Sequence, residues 1–297
     1  MSNNGTTKMI FNSPDEFLNA PRKCITAFGM SGVGKTHFAN KLRDQNWFHY
    51  SVDYRIGTRY MGEHIVDNFK QCAMKDPFLA NLLRTDSIYI GSNITFNNLS
   101  PLSTYLGKPG NPELGGIPFD EYKRRQAQHR QAEISAMLDT PYFIDRAKRL
   151  YGYDHFIADS SGSFCEVIDL DDPQDPVLEA VTGSSALLYI RGTEEDEEKL
   201  IARFKKAPKP MYYAPKLLDQ KWQQFKQENK IAHDQDVDPD AFMIWVFSTA
   251  LRHRLPLYQQ IADQHGYIIE AADLATMRDL KDFDAMMAAA ITNRNKA

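Results

Sequence analysis

"FGMSGVGKTHFAN", residues 28–40, fits G-x-x-x-x-G-K-[ST] at Gly29, Gly34, Lys35 and Thr36. Just before it, "KCITAF" (23–28) is a short apolar run bounded by charge and glycine, the mark of a strand buried on both faces. Just after it, "THFANKLRDQ" sets Phe38, Ala39 and Leu42 on one helical face. The pattern therefore lies between a strand and a helix, where successive backbone amides and a helix N-terminus converge on an anion. The expected phosphate-binding residues are Gly29, Met30, Ser31, Gly32, Val33, Gly34, Lys35, Thr36 and His37. Lys35 would reach the β- and γ-phosphates of a nucleoside triphosphate and act in catalysis, and the Thr36 hydroxyl would bind Mg2+. ATP and Mg2+ are the expected cofactors.

Outward from the loop, a second strand is expected at "WFHYSVD" (47–53), where His49, Ser51 and Asp53 alternate with Phe48, Tyr50 and Val52. A third, "HFIAD" (155–159), ends on Asp159, and a fourth is read at "SALLYIRG" (185–192). Thr193 then opens a helix with an acidic first turn, "EEDEE", and Arg203, Lys205 and Lys206 in its last, the order the helix dipole favours. A final strand is expected at "GYIIEA" (266–271), between the helix "LYQQIADQ" and a helical pattern in "DLATMRDLKDFDAMMAAAI". Asp238 and Pro239 are read as the start of a separate helix, "DAFMIWVFSTAL".

Strands alternating with helices predict an α/β fold, a three-layer α/β/α sandwich of the P-loop NTPase type with a mainly parallel sheet. One domain over 1–297 is expected, with its core at 20–60 and 151–297 and a helical insertion at about 61–150. Within the insertion, "SNITFNNLSPLSTYLGKPGNPELGGIP" (92–118) is rich in Asn, Pro, Gly and Ser and reads as an irregular loop.

Of the 297 residues, 42% are hydrophobic and 25% charged, and no apolar run approaches the roughly 18 residues of a membrane span. The N-terminus, "MSNNGTTKMIFNSPDEF", has no signal-peptide pattern, so a cytoplasmic location is expected. A net charge of −4 gives no strong nucleic-acid signal. Cys24, Cys72 and Cys165 are too few and too scattered for a disulfide framework or a thiolate metal site, and read as buried apolar residues.

The ends of the strands carry the remaining chemistry. Asp159 is placed as the magnesium-side Asp of a Walker B site, while Ser160 stands where many ATP-hydrolysing machines carry a Glu. Asp53 could accept a proton from a hydroxyl attacking the γ-phosphate, and Arg55 and Arg59 could grip an anionic small-molecule acceptor. Positive charge over the transferring group is expected from Arg191 or Arg203. Lys209 and the insertion's Lys123, Arg124, Arg125 and Arg130 form further basic stretches.

"GMSGVGKT", a second-strand Asp53 and a third-strand Asp159 together resemble the P-loop kinases of the nucleoside monophosphate kinase group, including shikimate and gluconate kinases. The likeness spans roughly 23–60 and 154–210, with an echo at "IADQHGYIIEA". It implies a small-molecule kinase, with the Asp after the second strand near the acceptor hydroxyl and lid arginines after the fourth. "SVDYRIGT" also resembles the tRNA prenyltransferase segment in which an Asp precedes "IGT", without the rest of that pattern. An ATP-binding regulatory ATPase or switch acting with a macromolecular partner is the other reading. No Asn/Thr-Lys-x-Asp guanine motif occurs.

Overall fold

The computed structural model describes residues 9–296, so the first eight residues of the N-terminal stretch lie outside the description. The chain divides into two units: Met1–Val52 with Glu133–Ala207 and Val246–Ala297, and Asp53–Ala132 with Pro208–Trp245. The second unit thus takes in residues 208–245 as well as most of the stretch read as an insertion.

The first unit is built on a five-stranded, wholly parallel sheet. Its strands are β1 (Cys24–Phe28), β2 (Trp47–Ser51), β3 (His155–Asp159), β4 (Ala186–Arg191) and β5 (Gly266–Glu270), in the order β2-β3-β1-β4-β5. All five fall where the sequence pattern places them, but β2 ends at Ser51, two residues short of the expected end, because Val52 and Asp53 turn into the helix Val52–Arg55. The chain leaves β1 for one side of the sheet and crosses from β3 over β1 to the other, so the end of β1 is the switch point at which such sheets bind ligands.

Alternation along the strands divides the core into two layers. Ile25, Ala27, Trp47, Ile157, Leu188 and Ile269 pack with Phe38, Ala39 and Leu42 of helix Lys35–Arg43 and with Phe283, Met287 and Ile291 of helix Leu280–Arg294. Each such Phe or Leu, fully buried, stabilises the fold by about 1.5–3 kcal/mol. On the opposite face Phe28 stacks on Tyr189 at 5.4 Å and meets Phe164 edge-on at 5.6 Å, while Phe156 stacks with Phe48 and Tyr50. Helices therefore cover both faces, and the architecture is α/β with a parallel sheet.

Three further local expectations need correction. The long stretch after Asp238 forms one helix, Pro239–His265, with Pro256 inside it, where two were expected. Segment 92–118 contains the helix Ser100–Leu106 and a 3-10 turn at Pro112–Leu114, with Pro101 and Pro112 each in a first-turn position where no amide is lost. Cys24 and Cys165 are buried as read, whereas Cys72 is exposed.

In the second unit, Phe119 stacks on Trp222 at 4.3 Å, and Trp222 meets Phe242 edge-on at 4.8 Å. Among the described residues no helix is long and apolar enough to cross a membrane.

Candidate phosphate-binding site

The site begins with the backbone of the glycine-rich loop. Gly29 has φ +138°, and a Cβ on it would stand 2.6 Å from the Ile190 carbonyl oxygen of β4. Gly34 has φ +97° and begins helix Lys35–Arg43 with no side-chain cap. Helix Glu194–Lys206, by contrast, is closed by a full capping box between Thr193 and Asp196. The uncapped amides after Gly34, at the positive end of a nine-residue helix, suit an anion.

Lys35 is buried, and its ammonium donates to the carbonyls of Gly29 (2.8 Å) and Met30 (2.7 Å), which holds the charge inside the curl of the loop. The Thr36 hydroxyl donates to Asp159 Oδ2 at 2.7 Å. Register explains that meeting, since Asp159 closes β3 opposite Ala27 of β1 and Ser51 of β2, one strand over from the loop's origin. The other Asp159 oxygen, Oδ1, lies 3.1 Å from His49 Nε2.

A divalent cation fits this donor set. Thr36 and Asp159 are hard oxygen donors, and Mg2+ is commonly held by one or two protein groups with waters and substrate phosphates completing an octahedron. Among the described residues no group of three His, Cys, Asp or Glu side chains forms a protein-only metal cage.

Of the two arginines expected to steady charge, the structure brings Arg203 to the loop. A Cβ on Gly32 would stand 2.6 Å from Arg203 Nη2. Helix Glu194–Lys206 is anchored near that point by Phe204, whose ring lies parallel to Phe247 at 3.8 Å. Arg191 instead turns to Glu270, its register partner at the end of β5, and to Gln259. The Glu270 carboxylate raises the Arg191 pKa above its ordinary value.

A second loop meets the first where sequence patterns gave no warning. After Asp159 the turn Ser160–Ser163 packs on the glycine-rich loop, so that a Cβ on Gly162 would stand 3.1 Å from the Ser31 nitrogen. Buried Glu133 accepts hydrogen bonds from the Ser161 and Ser163 hydroxyls. From the other side Arg254 donates to the Gly162 carbonyl at 3.0 Å and to Glu166 at 2.7 Å, and the Tyr258 hydroxyl donates to the same carbonyl. The backbone of Ser160 donates to Ala27, extending the sheet by one bond.

Asp53, Arg55 and Arg59 belong to the second unit, on the short helix Val52–Arg55 and the π-helical turn Ile56–Tyr60 that follows. The Arg55 guanidinium lies 5.5 Å from the Tyr60 ring centroid, and Tyr54 meets Phe96 edge-on at 4.8 Å. π-Helical turns are rare and recur at functional sites. Three cations of the insertion's basic stretch are paired within the second unit: Lys123 with Asp120 and Asp219, and Arg124 and Arg125 with Glu121.

No family model and no curated protein sequence matches the chain. Among solved structures, the chain is similar to the shikimate kinase of Bacteroides thetaiotaomicron, at 14% identity and a TM-score of 0.38 over 92% of this chain and 97% of that one.

Proposed function

We propose that the protein is a Mg2+- and ATP-dependent phosphotransferase of the P-loop kinase type, acting on a hydroxylated or anionic small molecule. The observation that carries this reading is the convergence, within one unit, of Lys35, the Thr36–Asp159 hydrogen bond and Arg203 around a loop whose helix N-terminus has no side-chain cap. The loop amides and Lys35 bind the triphosphate. Thr36 and Asp159 hold the metal, which when bound neutralises charge on the β- and γ-phosphates. Arg203 sits over the loop, where it can meet negative charge that grows on the transferring group.

Asp53 is the proposed base for the acceptor hydroxyl, and Arg55 and Arg59 the proposed anion grips. The absence of a Glu at Ser160 leaves no carboxylate directly after Asp159 to polarise water, which favours transfer to an acceptor over plain hydrolysis.

ATP consumption with Mg2+ is measured against a pooled metabolite library, for the native protein beside Lys35→Ala and Asp53→Ala. One pool should accelerate turnover, and both substitutions should abolish the gain. A slow basal ATPase that no pool stimulates and that Asp53→Ala leaves intact would overturn the kinase reading in favour of a partner-regulated ATPase.

A further inference from the structure

His49 has no part in the reading above, yet it makes the second hydrogen bond to the residue on which the metal subsite depends. Its ring lies on β2, level with Ile157 of β3, so that it and Asp159 are diagonal neighbours on one face of the sheet. The His49 side chain is 1% exposed and that of Asp159 4%. A carboxylate only accepts, so His49 Nε2 carries the proton in this pair and donates to Oδ1 across 3.1 Å, while Thr36 donates to Oδ2 across 2.7 Å. Held at both oxygens by groups from two different elements, the carboxylate cannot turn about its terminal bond without losing both partners.

We infer that His49 is the positioning residue of the divalent-cation subsite: its imidazole fixes the plane of the Asp159 carboxylate and so the orientation in which Asp159 and Thr36 serve the cation. This rests on the nucleotide-binding reading of the loop. Hydrogen bonds to a metal-binding carboxylate tune metal affinity, and losing one weakens binding about 10–100-fold.

The test titrates Mn2+ by electron paramagnetic resonance in the presence of adenylyl imidodiphosphate, and separately measures binding of that analogue in EDTA. Native protein, His49→Leu and His49→Gln are compared. His49→Leu should weaken Mn2+ binding about 10–100-fold while leaving metal-free analogue binding at its native value, since the carboxylate loses its second tether. His49→Gln, whose amide can still donate to Oδ1, should recover most of the loss. Should His49→Leu not fold, His49→Asn takes its place, its amide being too short to keep the bond. An equal fall in Mn2+ and metal-free binding, or no change in either, overturns the inference and leaves His49 a packing residue. Native protein that binds no analogue in either condition overturns the nucleotide reading itself.

Discussion

Arg203 occupies the space that a side chain on Gly32 would need: a Cβ there would stand 2.6 Å from Arg203 Nη2 and 3.4 Å from Leu200 Cδ1. The glycine and the arginine are therefore two halves of one arrangement, a bare loop crown and a cation seated on it. The rest of helix Glu194–Lys206 is held by its capping box and by the Phe204–Phe247 stack, neither of which depends on Arg203.

Replacing Arg203 with Ala should therefore leave the fold intact and act on the chemical step. Removing one preorganised donor from a developing charge costs about 100–1,000-fold in kcat. The loss should fall mainly on kcat, with nucleotide affinity changed far less. Arg203→Lys should recover only part, because an ammonium lacks the planar fork. Steady-state kinetics beside equilibrium nucleotide binding separate the two. A variant with native kcat would remove Arg203 from the site.

The loop glycines should not be equivalent. Gly29→Ala puts a methyl group 2.6 Å from the Ile190 carbonyl oxygen, a backbone atom of a central strand that cannot swing aside, at φ +138°. Gly34→Ala meets nothing within 4 Å and suffers only the strain of a positive φ, about 1–2 kcal/mol. Urea unfolding should rank Gly29→Ala clearly below Gly34→Ala in midpoint. The reverse order would mean that the loop lies differently from the way described.

The sheet and loop were legible because their signals are local: short apolar stretches that end at or just before a glycine or an acid in four strands, and alternation of polar and apolar residues in the fifth, Trp47–Ser51. Asp159 could be marked from its place after "HFIA" alone. His49 was visible only as one of three alternating polar residues, because its role depends on strand register, which joins residues more than a hundred positions apart. Glu133 and Arg254 gave no signal, since each lies in a long helix whose pattern reports a face and not what lies across from it. The partner of Arg191, Glu270, was out of sight for the related reason that it sits on a later strand. The two helices read after Asp238 are one because the chain stays helical through Pro256, with Tyr258 and Ile261 beyond it buried.

The ion-pair cluster of the second unit gives a pH signature. Hydrogen bonding by Arg124, with further help from Arg125 and against some desolvation, lowers the Glu121 pKa from 4.5 to about 2. A carboxyl group depressed in the folded state stabilises fully above its unfolded pKa, and that contribution fades as pH falls through the folded value. Glu121→Gln should therefore be less stable than the native protein at neutral pH, and the gap should close between about pH 4.5 and pH 2. Because Glu121 is partly exposed, the gap should also shrink in high salt. Thermal melts of both proteins across that range provide the check, and a gap independent of pH would assign the effect to shape and not charge.

The pair behind the second loop should be far more costly to disturb. Arg254 and Glu166 are almost wholly buried, with side chains 5% and 1% exposed and 2.7 Å between them. Burial acts to lower the Arg254 pKa, and the Glu166 charge beside it more than reverses this, so the arginine stays charged. Arg254→Leu strands the Glu166 carboxylate in the core, a loss of about 3–5 kcal/mol. Adding Glu166→Leu removes the stranded charge and should restore much of the stability, since a buried ion pair replaced by apolar residues is often neutral. Function should not recover with it. Arg254 also holds the Gly162 carbonyl, and Gly162 lies against Ser31, so the double variant keeps its fold with only Tyr258 left on that carbonyl. Urea unfolding should show the rescue while nucleotide binding stays weaker than native. Equal recovery of both would mean that the turn Ser160–Ser163 does not set the glycine-rich loop.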